Sequence, residues 1–193
     1  MKNDPFDKTQ GHAEKSRMHE KFVYLFILVF LFLPFFKTPV FAQSSYVLPY
    51  PSSLSGSLFY NAHLAYEAIS KYWYFGNFGQ FNYNLKMADK YLVEAKTLFE
   101  YKQYLLGYKA LRKSDSYFIN ILPNLVKAEK NGKNTFQKRE ILKEASEKHI
   151  EVLEQIEGNT PSIFVWQPEK STPTTLNLEK ALNQSIHLRK KIL

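Results

Sequence analysis

From Phe81 onward apolar residues return with a helical step. Phe81, Leu85, Ala88, Leu92, Ala95 and Phe99 are spaced four, three, four, three and four, the period of one helix face. This predicts a helix over about 80–100. Continued in phase, the stripe runs into Lys102 or Gln103 and then Lys113, while Tyr104, Tyr108, Leu111, Phe118 and Leu122 begin a better one. A slip of phase without Gly or Pro predicts a tight turn at 100–103 and an antiparallel helical hairpin, with one long, locally distorted helix as the alternative.

Around this hairpin the pattern predicts further helices. Leu58, Ala62, Ala65, Ile69 and Tyr72 recur at helical spacing, which predicts a first helix over about 58–75, capped by Ser55 or Ser57. Gly76-Asn77-Phe78-Gly79 is expected to end it. The third helix runs from about 103 toward Lys130, with a kink or break at Asn120–Pro123. Asn134 to Gln137 reads as a capping box for a fourth helix over about 135–157. Its inner face takes Ile141 or Leu142, then Ala145, His149, Val152 and Ile156, and Gly158 ends it. Residues 159–175 read as a loop with a short apolar clamp at Ile163–Trp166, or one extended segment. A last amphipathic helix over about 176–190 carries Leu178, Ala181, Leu182, Ile186 and Ile192, with Arg189, Lys190 and Lys191 facing the negative end of its dipole. The fold class expected is all-α: an antiparallel bundle of four to five helices with an N-terminal signal or anchor helix. The hairpin at 80–118 has the size of a tetratricopeptide-type unit, but the residue spacing does not fit.

Before the bundle, Phe22–Phe36 is a run of fifteen uncharged residues between Lys21 and Lys37. That length suits a signal core and is short for a bilayer crossing, which takes roughly 20 residues. Val40 and Ala42 are small enough for the pockets of a signal peptidase, and Pro34 and Pro39 keep the segment extended. Cleavage is expected between Ala42 and Gln43; a retained membrane anchor is the rival. A start at Met18 in place of Met1 gives a signal of ordinary shape. The resulting division is 1–42 signal or anchor, 43–57 an extended Pro/Ser strap, 58–157 the helical domain, and 158–193 a Pro/Thr loop with the C-terminal helix. The protein is therefore expected to be exported: extracytoplasmic, and either secreted or anchored by residues 22–36.

The 193-residue chain has no cysteine, which removes disulfides, thiolate metal sites and cysteine nucleophiles. Six basic and four acidic residues precede Gln43, leaving +6 of the net +8 on the remainder. That excess is spread along solvated helix faces. Motifs of zinc hydrolases, serine hydrolases and phosphate loops are missing from the sequence. His63 and Glu67 lie one turn apart, yet neither a nucleophile nor an orienting third group accompanies them, so a surface hydrogen bond or ion pair is expected. His149 falls on an apolar stripe, where it could titrate or bind a metal; a core-edge histidine with satisfied nitrogens is expected instead. Asp115 is either a buried polar contact or turned outward. No enzyme activity, cofactor or metal is expected. The densest feature is aromatic: Tyr66, Tyr72, Trp73, Tyr74, Phe75, Phe78, Phe81 and Tyr83. The plain reading packs these rings into the core; the functional one makes Tyr66, Tyr72, Trp73, Tyr74 and Phe78 a ligand or partner surface.

Three stretches carry a resemblance: Tyr46-Val-Leu-Pro-Tyr-Pro51 after the signal, Lys71-Tyr-Trp-Tyr-Phe-Gly76, and Met87-Ala-Asp-Lys-Tyr-Leu-Val-Glu-Ala-Lys96. Over residues 46–156 the chain resembles a family of exported helical proteins of candidate-phyla bacteria whose function is unknown. The resemblance implies a signal-bearing, all-helical protein and no known activity, cofactor or catalytic residue. The function expected is that of a non-enzymatic cell-envelope interaction or scaffold protein. Its partner would be an envelope protein or a second copy, with membrane contact through an uncleaved N-terminus and no nucleic acid. The alternative is an extracytoplasmic ligand-binding module using an aromatic cleft near residues 66–83.

Overall fold

The computed structural model describes residues 45–51 and 60–193. The apolar run Phe22–Phe36, the Ala42–Gln43 junction, Leu58 and the capping serines lie outside them. Helix α1 (Tyr60–Ser70) leads through a 3-10 turn (Lys71–Trp73) into α2 (Gly76–Glu100). Then come α3 (Tyr104–Phe118), α4 (Ile121–Lys130), α5 (Phe136–Gly158), strands β1 (Ile163–Trp166) and β2 (Thr174–Asn177), and α6 (Leu178–Lys190).

Helix α2 is apolar on more than one face, and this makes it central. The periodic stripe Phe81, Leu85, Ala88, Leu92, Ala95 and Phe99 is buried, and so is a second line, Tyr83, Met87 and Tyr91. Helices α3, α4 and α5 pack around it, and α6 closes the bundle against α5 and α3. Two apolar clusters result. One joins Leu92, Leu98 and Phe99 to Leu111, Leu153, Leu178, Leu182 and Ile186. The other joins Phe81 and Leu85 to Phe118, Ile121, Leu125 and Leu142.

The slip of phase marks a hairpin: Tyr101–Gln103 turns the chain, and Ser114 of α3 lies against Ala88 of α2 while Gly107 lies against Phe99. Lys102 takes the left-handed conformation (φ 59°), with the Gln103 N–H bonded to the Leu98 carbonyl at 2.8 Å. The break before Pro123 falls at Ile119–Asn120, so Pro123 sits in the first turn of α4, where a missing N–H costs nothing. Helix α5 begins at Phe136, whose N–H is accepted by Asn134 Oδ1 at 3.0 Å.

Several expectations need correction. The first helix ends at Ser70, not 75, and its expected inner stripe faces outward: Ala62, Ala65, Ile69 and Tyr72 are exposed. Among the described side chains of α1, those turned inward are Glu67 and Ser70, and the Glu67 carboxylate ties the helix to α2. Gly76-Asn77-Phe78-Gly79 does not separate two helices but forms the first turn of α2. Gly76 is left-handed (φ 67°), and a Cβ on Gly79 would stand 2.6 Å from the Tyr74 carbonyl carbon. The fold is mostly helical, consistent with the all-α expectation, and the one addition is that the expected loop holds an antiparallel hairpin pairing Phe164 with Leu176. Leu176 is buried, and the Phe164 ring meets Tyr104 at 5.0 Å. Asn177 Oδ1 then caps α6 by accepting from Lys180 N–H at 2.8 Å. Arg189, expected to complement the α6 dipole at the surface, is fully buried.

Candidate functional site

Two polar clusters hold the helices around α2, and an aromatic face lies beside one of them. The larger cluster starts in the strap. Tyr46 donates its hydroxyl to Asp89 Oδ2 at 2.6 Å, and Asp89 Oδ1 meets His149 Nε2 at 2.7 Å. Arg189 donates from Nε to His149 Nδ1 at 3.1 Å. Since Nδ1 accepts, the neutral ring carries its proton on Nε2 and donates it to Asp89. The Arg189 Nη1 bonds Asp115 Oδ1 at 2.7 Å and the Ser185 carbonyl at 2.9 Å, and Nη2 bonds Ser114 Oγ at 2.9 Å. Ser185 Oγ donates to Asp115 Oδ2 at 2.6 Å, and Ser114 Oγ to the Ala88 carbonyl at 2.8 Å. The guanidinium also lies 4.8 Å from the Phe118 ring centre.

Burial is the largest influence on both bases. It lowers the His149 pKa below its ordinary 6.5 against the pull of the Asp89 bond. It also works against the charge of Arg189, which Asp115 holds in place. Burial and the Asp89 carboxylate likewise push the Tyr46 hydroxyl above its ordinary range. The hydroxyls of Ser114 and Ser185 are both fully buried and donate to the Ala88 carbonyl and to Asp115. The network links the strap, α2, α3, α5 and α6.

The second cluster seats α1. Glu67 Oε2 accepts from the Tyr91 hydroxyl at 2.6 Å, and Oε1 forms an ion pair with Lys90. The Glu67 carbonyl accepts from Ser70 Oγ at 2.9 Å and Tyr83 at 3.3 Å. Tyr91 stacks on Tyr117 with ring centres 5.7 Å apart, and the Lys113 ammonium lies 5.0 Å from the Tyr91 ring centre. Burial first, and Tyr117 second, push the Tyr83 hydroxyl up to about 12. Burial lowers the Lys90 pKa, opposed by Glu94. Glu67 is thus committed to Lys90 and Tyr91; the side chain of His63 lies outside the described residues.

The aromatic group divides. Phe81 and Tyr83 are core. Tyr74 is half-buried with its ring 5.4 Å from Tyr83, and Phe78 packs on the second apolar cluster beneath Lys133. Tyr66, Ile69, Tyr72, Trp73 and Phe75 instead expose between 57 and 82% of their surface. Tyr66 and Trp73 meet edge to face at 6.4 Å. Of the five residues expected to form a surface, Tyr66, Tyr72 and Trp73 therefore stand outward, while Tyr74 and Phe78 turn in. Beside them a cleft of about 140 Å³ is walled by Tyr66, Glu67, Tyr74, Tyr83, Lys86 and Lys90. Ligand clefts run to roughly 300–1,000 Å³, so this one is small for a sugar or a peptide.

Sequence reasoning passed over Tyr46, Asp89, Ser114, Ser185, Lys90 and Arg189. A signal was present for two of these. Ser185 and Arg189 continue the α6 series Leu178, Ala181, Leu182 at helical spacing, which puts them on the buried side. Among the described residues no three His, Asp or Glu side chains converge as a metal-ligand set, and no helix is long and apolar enough to cross a membrane. No known protein-family model, curated protein or solved structure matches the chain.

Proposed function

We propose that the chain is an exported, non-enzymatic interaction protein of the cell envelope, and that the outward face of α1 and its 3-10 turn is the surface it uses. One observation carries this reading: an apolar and aromatic helix face left exposed among the described residues, on a helix held from behind by Glu67. Tyr and Trp exposed in a group are what docking surfaces are built from, because each offers a large rigid area with a polar edge. The apolar run at 22–36, followed by small residues at Val40 and Ala42, supports export, and the resemblance to exported helical proteins points the same way. Committed hydroxyls and a neutral, doubly bonded His149 favour a structural over a catalytic use of the buried groups. The small volume of the cleft near Glu67 favours the face over that cleft as the working surface.

A photoreactive residue at position 72, in chains expressed in intact cells, tests the reading. The expected result is a covalent adduct with an envelope component, protein or lipid. Recovery of unmodified chain alone, or an adduct confined to cytosolic proteins, would overturn it.

A further inference from the structure

We infer that the partner of the α1 face is the interfacial layer of a lipid bilayer; this rests on the interaction reading above and specifies its partner. The chemistry of the face separates lipid from protein. Between Tyr60 and Phe75 the sequence holds a single acidic residue, Glu67. That carboxylate is turned inward and held by Lys90 and Tyr91, so the outward side carries no negative charge. It presents Ala62, Ala65, Tyr66, Ile69, Tyr72, Trp73 and Phe75 with Lys71 exposed among them and Lys86 nearby. Protein-binding patches are depleted of lysine. Aromatic rings with a polar edge, aliphatic groups and lysine without acid are the make-up of helices that lie in the headgroup layer, apolar side sunk roughly 5–10 Å. Lysine there meets anionic headgroups while its stem stays among the acyl chains.

The course of the chain agrees. Tyr46 is pinned to α2 at Asp89, and Glu67 fixes α1 to the same turn of α2 through Lys90 and Tyr91. Before any cut at Ala42–Gln43, nine residues separate Phe36 from Tyr46, at most about 35 Å of extended chain. A bilayer that takes up the apolar run therefore stays within reach of the strap. After a cut, the aromatic face remains as the membrane contact.

Trp73 reports on this directly. The chain has two tryptophans, and none lies in Phe22–Phe36. Full-length W166F therefore carries Trp73 as its sole indole, and W73F carries Trp166 as a control. Each is mixed with vesicles of phosphatidylethanolamine and phosphatidylglycerol, with acyl chains plain or brominated. Trp73 emission is expected to shift to the blue and to fall roughly by half with brominated lipid, as for an indole at the interface, while Trp166 emission stays unchanged. Ile69→Ser with Phe75→Ser, both at exposed positions, is expected to require roughly tenfold more lipid for the same Trp73 shift. Unaltered Trp73 emission, whether or not the protein floats with the vesicles, would overturn the inference. If position 72 then crosslinks to an envelope protein, the interaction reading stands with a protein partner; if it crosslinks to nothing, both fall.

Discussion

Arg189 keeps its charge with none of its surface exposed, and the arrangement around it explains how. Asp115 supplies the counter-charge, while His149, Ser114 and the Ser185 carbonyl take the remaining donors. Removing the cation leaves Asp115 buried beside a single hydroxyl. Arg189→Met is therefore expected to cost about 3–5 kcal/mol, read as a lower urea midpoint. His149 gives the same network a pH dependence. Its pKa is lowered mainly by burial, so the folded chain keeps the ring neutral where the unfolded chain takes up a proton. Its contribution to stability is complete above about pH 6.5 and is lost as pH falls from there toward the folded pKa, by up to about 1.4 kcal/mol per pH unit. In His149→Gln that limb is expected to flatten, because the amide offers a donor and an acceptor without a proton to bind. Urea unfolding between pH 5 and 8 checks this; an equal slope in both proteins would remove His149 as its source.

At the level of elements, the hairpin between α2 and α3 contains a correctable strain. Lys102 occupies a left-handed conformation that a side chain disfavours by roughly 1–2 kcal/mol. Glycine adopts it freely but loses more entropy on folding. Lys102→Gly is expected to gain about 0.5–1 kcal/mol net, seen as a small rise in melting temperature. The elements also show what a sequence discloses. The α2 stripe and the inner face of α5 were legible because apolar residues there repeat with one period and face one core. Slip of phase located the turn at Lys102 for the same reason. Helix α1 misleads by the same rule. Its described periodic apolar positions, Ala62, Ala65, Ile69 and Tyr72, are exposed, and among its described inward side chains is a carboxylate whose partners, Lys90 and Tyr91, lie more than twenty positions away. Of the β-hairpin only one extended segment was legible, and the pairing was missed because its strands are four residues each, too short for alternation to show. Of the outward aromatics, Tyr66, Tyr72 and Trp73 were readable as a surface only as a choice against core packing; composition alone gave no means to set Tyr74 and Phe78 apart from them.

For the whole molecule, α6 matters more than its place at the end of the chain suggests. Leu178, Leu182 and Ile186 belong to the same apolar cluster as Leu92, Leu98 and Phe99 of α2. From the same helix Arg189 reaches Ser114, 75 positions earlier, and through His149 joins the strap residue Tyr46 to the network. The bundle is thus closed by its last helix, and the strap and α3 are tied to it through one guanidinium. Leu182→Ala is expected to cost about 2–5 kcal/mol, as for other fully buried leucines. A chain stopped after Asn177 loses the cluster residues and the only cation hydrogen-bonded to Asp115 among the described residues, leaving His149 Nδ1 without its donor. Such a chain is expected to keep much of its far-ultraviolet helical signal, since α2 and α3 form a local hairpin, but to lose near-ultraviolet ellipticity and a cooperative thermal transition. A sharp melt in the shortened chain would show that the first five helices close a core without α6, and that the buried network is an addition to the fold and not a condition of it.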